Sequence, residues 1–240
     1  MHYRAVLIDI DDTLFDFRQS SFEAIEQAFA HWGYSFTPDD MEQYEVYNDA
    51  LWKRFERSEV TKPFVFLERF RQYFAARGIT DIDPEAFNAF YLARLAEGYA
   101  FMPHCRELLC ALHGRYQVFV VTNGDTYAQN ARIARSGLAH LFDGVFISEQ
   151  MGCKKPEKAF YDGVFASIGE EYRTCSIMVG DSLTSDMQGG RNAGIPTCFY
   201  GAEENADARC DYVIDDLMQL LDVLSGTRAP RADSPLAQLR

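Results

Sequence analysis

The fold is decided by one stretch near the start of the chain, Arg4-Ala-Val-Leu-Ile-Asp9-Ile-Asp11-Asp-Thr13. Its four consecutive apolar residues are typical of a strand that is covered on both faces of a parallel sheet. Asp9 and Asp11 follow at a spacing of two, so their side chains leave an extended chain on the same side. Paired carboxylates can share a hard cation or act as nucleophile and general acid/base; the alternative is a solvated turn. The stretch therefore predicts a buried strand with a candidate acidic site at its end.

Strands alternate with helices in the second half of the chain. We predict helices over residues 104–113, 126–136, Lys155-Pro156 to about 167, a segment ending at 193, and 217–224. The predicted strands are 116–121, 144–147, 176–179, 197–200 and 212–214. This alternation predicts an α/β fold with a doubly wound, Rossmann-like parallel sheet.

A long helical stretch separates the first predicted strand from the others. Thr37-Pro38 and Asp83-Pro84 each combine a helix-capping residue with proline at the first helical position. The sequence therefore predicts an all-helical cap inserted into the α/β core, followed by a flexible tail without periodicity. The predicted limits of core, cap and tail are 1–15 with 100–225, 16–99 and 226–240.

The composition limits the partners of the protein. The chain has 240 residues, of which 23 are basic and 36 acidic, giving a net charge of −13. This balance argues against nucleic-acid polymers and anionic membranes as partners, but a local cation would still permit a small anionic substrate. No apolar run has the length of a membrane helix or a signal peptide, so we expect no membrane partner and a cytoplasmic location. The six cysteines contain no C-x-x-C pair and are expected to be reduced thiols.

Three further predicted strand ends carry polar motifs: Thr122-Asn123-Gly124, Lys154-Lys155-Pro156 and Gly180-Asp181 with Asp186. Taken one at a time, helix caps, turns and solvated lysines explain them better than function does. Ligands of open parallel sheets, however, bind beyond the carboxyl ends of the strands, so polar groups at four such ends favour a single site. Acids there would hold Mg²⁺, threonine and lysine would bind phosphate oxygens, and one acid would attack.

In these motifs the sequence resembles the haloacid dehalogenase-like (HAD) hydrolase superfamily, over residues 4 to about 224. The four motifs occur in the order of the family, and the helical insert resembles its C1-type cap. The resemblance implies a phosphoric monoester hydrolase with Mg²⁺ as cofactor. Members that cleave carbon–halogen bonds lack an acid at the position of Asp11, so that reaction is not expected.

The resemblance also implies a role for each motif residue. Asp9 would attack phosphorus and form an aspartyl-phosphate, while Asp11 would protonate the leaving alcohol and then activate water. The implied metal ligands are Asp9, the Asp11 backbone carbonyl and Asp181, with Asp186 supporting the metal's waters. The implied phosphate ligands are Thr122, Asn123 and Lys155.

A finer resemblance, in stretches such as Ile147-Ser-Glu-Gln-Met-Gly152, is to bacterial house-cleaning pyrimidine 5′-nucleotidases. It implies a small phosphorylated metabolite, a nucleoside monophosphate, as the substrate. Asp125 departs from the pattern, which has an apolar residue there, and could alter the base preference. Aromatic side chains could stack on a pyrimidine, although packing in the core is the alternative for each of them. The candidates are Phe15, Tyr47 and Trp52.

Two other functions remain open at this point. One is a HAD phosphatase for phosphoglycolate or a sugar phosphate. The other is a noncatalytic phosphate-binding or signalling module; a receiver domain, however, is shorter and has no helical insert after its first strand. All four motif acids are present, which favours an enzyme. The sequence does not predict the oligomeric state.

Overall fold

The computed structural model describes residues 2–239. The chain folds into two compact units. The first unit contains the residues up to 16, residues 101–126 and those from 136 onward, and the second contains Phe17–Ala100 and Tyr127–Arg135. The predicted limits of separate core and cap domains stay predictions.

The first unit is built on a parallel sheet, for which the described residues provide six strands in the order β3-β2-β1-β4-β5-β6. The strands are β1 (Ala5–Ile8), β2 (Gln117–Thr122), β3 (Gly144–Ile147), β4 (Ser176–Gly180), β5 (Thr197–Tyr200) and β6 (Tyr212–Ile214). All neighbouring pairs are parallel, with Leu7 of β1 in register with Phe119 of β2 and Met178 of β4. The predicted doubly wound parallel sheet is confirmed.

Strand β1 lies at the centre of the sheet. Its four residues have no exposed surface, as the apolar run predicts for a strand covered on both faces. The chain runs from β1 through β2 to β3 on one side, and then from β4 to β6 on the other. The order of the strands therefore reverses between β1 and β4, the point at which open sheets bind their ligands.

The helices in chain order are α1 (Phe17–His31), α2 (Pro38–Glu56), α3 (Lys62–Arg77), α4 (Pro84–Leu95), α5 (Cys105–Leu112), α6 (Thr126–Ser136), α7 (Ser148–Met151), α8 (Lys158–Ile168), α9 (Gln188–Ala193) and α10 (Leu220–Ser225). A π-helical turn, Leu183–Met187, leads into α9. Helix α7 was not predicted, because four residues are too few to show a helical period. Among the described residues, no helix has the length and apolar character needed to cross a bilayer.

The second unit is helical, and its described residues 17–100 form no strand. Two of its helices begin where the sequence predicts. Thr37 forms a capping box with Asp40 at the start of α2, and Asp83 accepts hydrogen bonds from two backbone N–H groups at the start of α4. The unit has an aromatic core in which the ring of Phe87 lies 4.8 Å from those of Phe29 and Phe70. The predicted helical insert thus has a hydrophobic core of its own.

One predicted helix start is wrong. Lys155-Pro156 does not open a helix, because α8 begins at Lys158. The Glu157 N–H donates to the Lys154 carbonyl at 2.8 Å, so the chain makes a turn before the helix begins. Lys155 therefore lies in this turn rather than at a helix N-terminus.

The described residues that follow α10 are bonded to the rest of the first unit. Arg228 donates to the Val213 carbonyl at 2.6 Å, and the buried Ser234 hydroxyl donates to Asp211 at 2.5 Å. The Arg231 N–H also donates to the Asp211 carbonyl at 2.8 Å. The flexibility expected of residues 226–240 stays a prediction.

We expect Ser234→Ala to lower the free energy of unfolding by about 1–2 kcal/mol, because it removes a buried hydrogen bond to a carboxylate. Urea unfolding followed by circular dichroism measures this change. The matched control is Ser225→Ala, whose exposed hydroxyl bonds to the Asp222 carbonyl at 3.1 Å and whose loss should change stability by less than about 0.5 kcal/mol. Equal stability of the two variants would contradict the anchoring of this segment.

Candidate active site

The loop after β1 is closed by its own backbone. The Asp12 N–H donates to the Phe15 carbonyl, and the Phe15 N–H donates to the Ile10 carbonyl, both at 2.7 Å. Asp12 has a φ of 56°, a left-handed conformation that aspartate tolerates better than most residues. The Asp9 N–H donates to the Val179 carbonyl at 2.9 Å and so extends the pairing of β1 with β4. These bonds fix the backbone of the acidic motif at the end of the central strand.

A buried lysine lies beside Asp9. The Lys155 ammonium donates to Asp9 Oδ1, to Asp186 Oδ1 at 2.7 Å and to the Val121 carbonyl at 2.8 Å. An ammonium has three protons, so each of them has an acceptor. Lys155 is 1% exposed and Asp186 is completely buried. A buried cation of this kind is stabilised by carboxylates that are themselves desolvated.

Asp186 is held at both of its oxygens. Oδ1 accepts from Lys155, and Oδ2 accepts from the Ser182 N–H at 3.1 Å. A Cβ built on Gly180 would lie 2.2 Å from Asp186 Oδ2, so the motif needs glycine there for the carboxylate to approach the end of β4. The spacing between Asp181 and Asp186 thus reflects a turn that folds the second acid back against the strand.

Three carboxylates converge at the ends of β1 and β4. Asp9, Asp181 and Asp186 each offer an oxygen, and these oxygens lie within 4.8 Å of one another. Asp181 also accepts from the Thr13 hydroxyl at 3.1 Å. Hard divalent cations prefer carboxylate oxygens, so the donor set fits Mg²⁺.

The electrostatics of the cluster support this fit. Burial raises the pKa of Asp9 to about 8; Lys155 opposes the rise, whereas the neighbouring acids add to it. Burial, together with Asp9 and Asp186, also raises the pKa of Asp181 well above its usual range. Burial lowers the pKa of Lys155, but Asp186 and Asp9 raise it by more, so this lysine is held as an ammonium. One ammonium thus faces three carboxylates, an excess of negative charge that a divalent cation would balance.

The residues at the end of β2 lie beside this cluster, and hydrogen bonds join them to each other and to Lys155. Thr122 is 1% exposed, and its hydroxyl accepts from the Gly124 N–H at 3.0 Å. The Asn123 amide donates to the Lys155 carbonyl at 2.9 Å and accepts from the Lys155 N–H at 3.0 Å. Phosphate binding by Thr122, Asn123 and Lys155 stays a prediction.

The other predicted site residues differ in their surroundings. Asp11 is partly exposed, and its charge contributes to the raised pKa of Asp9. Phe15 is completely buried in the first unit, with its ring 5.5 Å from that of Phe101 in an edge-to-face contact. In the second unit Tyr47 and Trp52 are partly exposed and pack against buried apolar clusters. The contacts of Phe15 are those of a core residue, and substrate stacking by the three aromatics stays a prediction.

Sequence reasoning did not predict one polar contact at these strand ends. Glu149, in α7 after β3, accepts from the N–H of Thr126 at 2.9 Å and from its hydroxyl at 2.5 Å. The carboxylate thereby caps the start of α6 from a different helix. Glu149 lies in the stretch Ile147–Gly152 on which the nucleotidase resemblance rests. That resemblance was the feature of the sequence that could have pointed to Glu149.

The fold and the site together define a class of protein. A doubly wound sheet with a buried lysine and converging carboxylates at its switch point is the arrangement of an α/β enzyme that acts on a small anionic substrate.

Comparison with known proteins identifies the family within that class. A family model described as haloacid dehalogenase-like hydrolase matches residues 3–194. The chain belongs to this family and is a hydrolase.

Curated relatives and a solved structure are similar over most of the chain. Pyrimidine 5′-nucleotidase PynA of Streptococcus pneumoniae is 34% identical over 228 residues, which cover 93% of this chain and 96% of that protein. Pyrimidine 5′-nucleotidase YjjG of Escherichia coli is 32% identical over 202 residues, or 84% of this chain and 88% of that protein. The magnesium-bound structure of the HAD-hydrolase YfnB of Bacillus subtilis superposes with a TM-score of 0.87 at 30% identity, covering 93% of this chain and 99% of that one.

Proposed function

We propose that this hydrolase is a Mg²⁺-dependent phosphoric monoester hydrolase that cleaves pyrimidine nucleoside 5′-monophosphates through an aspartyl-phosphate. The observation that carries the proposal is the buried contact of Lys155 with Asp9 at the end of the central strand. A carboxylate at a ligand-binding switch point, held by a fixed cation and by backbone, has the properties of a positioned nucleophile.

Asp9 begins the reaction. Lys155 donates to Oδ1 of Asp9 and favours its ionised form against the effect of burial. A carboxylate oxygen of Asp9 attacks phosphorus, a bond forms between them, and the ester bond to the leaving alcohol breaks. The positive charge of Lys155 offsets the charge that develops on the phosphate oxygens, and the Thr122 hydroxyl at the end of β2 provides a hydrogen-bond donor.

Asp11 moves the protons in this mechanism. It is partly exposed and lies two residues beyond Asp9, close enough to raise the pKa of that group. In the first half-reaction it protonates the alcohol oxygen as the ester bond breaks. In the second it accepts a proton from the water that attacks the aspartyl-phosphate, which releases inorganic phosphate and regenerates Asp9.

The implied cation belongs to the same cluster. Asp9, Asp181 and the Asp11 backbone carbonyl would hold Mg²⁺, and Asp186, already fixed by Lys155 and Ser182, would support its waters. When bound, Mg²⁺ supplies positive charge that neutralises phosphate oxygens. Thr13 orients Asp181 by donating to one of its oxygens.

The substrate class rests on the relatives. Two proteins that are 32–34% identical to this chain over most of its length are named pyrimidine 5′-nucleotidases. A panel of phosphate esters tests the proposal: dUMP, dTMP and UMP against glyceraldehyde 3-phosphate, phosphoglycolate and sugar phosphates. We expect kcat/KM to be at least about 10-fold higher for the pyrimidine nucleotides, a difference in transition-state binding of about 1.4 kcal/mol. A preference for a sugar phosphate or for phosphoglycolate would reassign the substrate but keep the reaction.

We expect Asp9→Asn to reduce phosphate release from dUMP and from p-nitrophenyl phosphate to background, because an amide is not a nucleophile toward phosphorus. The matched control is Asp162→Asn, which neutralises an exposed acid that pairs with Lys158 and should retain full activity. Circular dichroism checks that both variants are folded. Full activity of Asp9→Asn would refute the assignment of the nucleophile.

Added MgCl₂ should raise the Tm, and the rise should grow between about pH 6 and about pH 9, because protons and the cation compete for the same carboxylates. Burial raises the pKa of Asp9 to about 8, so its protonated form stabilises the metal-free fold at low pH and this contribution is lost as the pH rises toward 8. Differential scanning fluorimetry at matched ionic strength measures the effect.

Two variants control the metal experiment. Asp181→Asn should abolish the Mg²⁺-dependent gain in Tm, whereas Asp162→Asn should retain it. A gain that is independent of pH, or that persists in Asp181→Asn, would contradict cation binding by this cluster.

A further inference from the structure

The backbone of Lys155 lies outside helices and strands. It belongs to the turn before α8, three residues ahead of the first residue of that helix. Its N–H and C=O groups therefore lack the partners that a helix or a sheet would provide, yet the residue is 1% exposed. Buried backbone groups require hydrogen bonds, so another part of the chain must supply them.

The side chain of Asn123 supplies both bonds. Its Oδ1 accepts from the Lys155 N–H at 3.0 Å, and its Nδ2 donates to the Lys155 carbonyl at 2.9 Å. The two bonds have opposite polarity, which determines the orientation of the amide. The amide thus pairs with the backbone of Lys155 as a neighbouring strand would.

Residues at the end of β2 consequently bond to both the backbone and the side-chain ammonium of Lys155. Asn123 fixes the backbone, and the Val121 carbonyl accepts from the ammonium at 2.8 Å. The ammonium must reach Asp9 and Asp186 at the same time, so both contacts depend on the position of the Lys155 backbone. Misplacement by about 1 Å of a group at a reacting centre can reduce a rate about 100-fold.

We propose that Asn123 is a positioning residue that acts through Lys155, and that its side chain does not bind the phosphate of the substrate. The carbonyl and one N–H of the amide contact the Lys155 backbone, and its contribution to the reaction is the placement of the ammonium against Asp9. The inference rests on the proposed function and adds to it a residue whose effect requires Lys155.

A double-mutant cycle tests this dependence, with hydrolysis of p-nitrophenyl phosphate as the readout. Asn123→Ala should lower kcat/KM about 10- to 100-fold in the wild-type enzyme, but less than about 3-fold in the Lys155→Met background. If Asn123 bound phosphate directly, the two losses would be independent and the same factor would appear in both backgrounds. That result would overturn the inference.

Asn192, in α9, is a matched control because it contacts the same turn. Asn192 donates from its Nδ2 to the Pro156 carbonyl at 2.8 Å, so it holds the residue next to Lys155 without contacting Lys155. Asn192→Ala should change kcat/KM less than about 3-fold. A loss equal to that of Asn123→Ala would show that loosening the turn suffices, and would overturn the specific role of Asn123.

Lys155→Met leaves two buried acids without their cation, so circular dichroism must show that this variant is folded. If it is not, the hydrogen-exchange comparison of Asn123→Ala with Asn192→Ala, which needs no variant of Lys155, decides the inference.

Hydrogen exchange separates this inference from the proposed function, because it needs no activity. Exchange of the Lys155 amide should be faster in Asn123→Ala than in the wild-type protein, and unchanged in Asn192→Ala. An unchanged amide in Asn123→Ala would overturn the inference even if the enzyme is a phosphatase. A wild-type enzyme that hydrolyses no phosphate ester would refute the proposed function, and with it the positioning role of Asn123 in the reaction. The exchange result would still report the contact between Asn123 and Lys155.

Discussion

The structure of the site depends on one interaction, the contact of the buried Lys155 ammonium with two carboxylates. A charge removed from water is tolerated only where it is paired and hydrogen-bonded, and here Asp9, Asp186 and a backbone carbonyl together provide the partners. Breaking a buried pair of this kind by removing one member typically costs about 3–5 kcal/mol, because the remaining charge is left without a partner. The lysine is therefore as important for folding the site as for the chemistry proposed for it.

The sheet makes this contact possible by bringing together residues that are far apart in the chain. Lys155 is separated from Asp9 by 146 positions and from Asp186 by 31. Because β3, β2, β1 and β4 are neighbours in the parallel sheet, the loops that follow these four strands open at the same edge. A buried strand can be continuous and apolar in its body and still present polar groups at its end, and this is the pattern of the Arg4–Thr13 stretch.

Much of this arrangement follows from local sequence rules. The apolar run of β1, the helix caps at Thr37 and Asp83, and the acids at two strand ends each depend on neighbouring residues, so the sequence predicts them. The start of α8 could not be predicted in this way. Lys155-Pro156 has the composition of a helix start, but it forms a turn, and Asn123, which is 32 positions away, pairs with the Lys155 backbone there.

Contacts between distant side chains limit the prediction of roles as well as of elements. The Asn123 amide bonds to the backbone of Lys155, a contact that the Thr-Asn-Gly motif does not itself predict. Phe15 follows the acidic motif as a residue that could stack on a base, yet it packs in the core against Phe101. In both cases the residue type determines which contacts a side chain can make, whereas the fold determines which of them it makes.

The net charge of the whole chain and the charges at the site act on a phosphorylated ligand over different distances. A net charge of −13 disfavours a phosphorylated ligand at long range, but screening confines that repulsion to about 8–10 Å at physiological salt. Within that distance the balance depends on a few groups: three converging carboxylates, one ammonium and the cation that the carboxylates would bind. Burial raises the pKa of Asp9 to about 8, and the neighbouring carboxylates, whose excess of negative charge favours a cation, add to that rise. Positive charge at the cluster therefore has two linked effects, since it attracts a phosphate and favours the ionised form of Asp9 that the proposed attack requires.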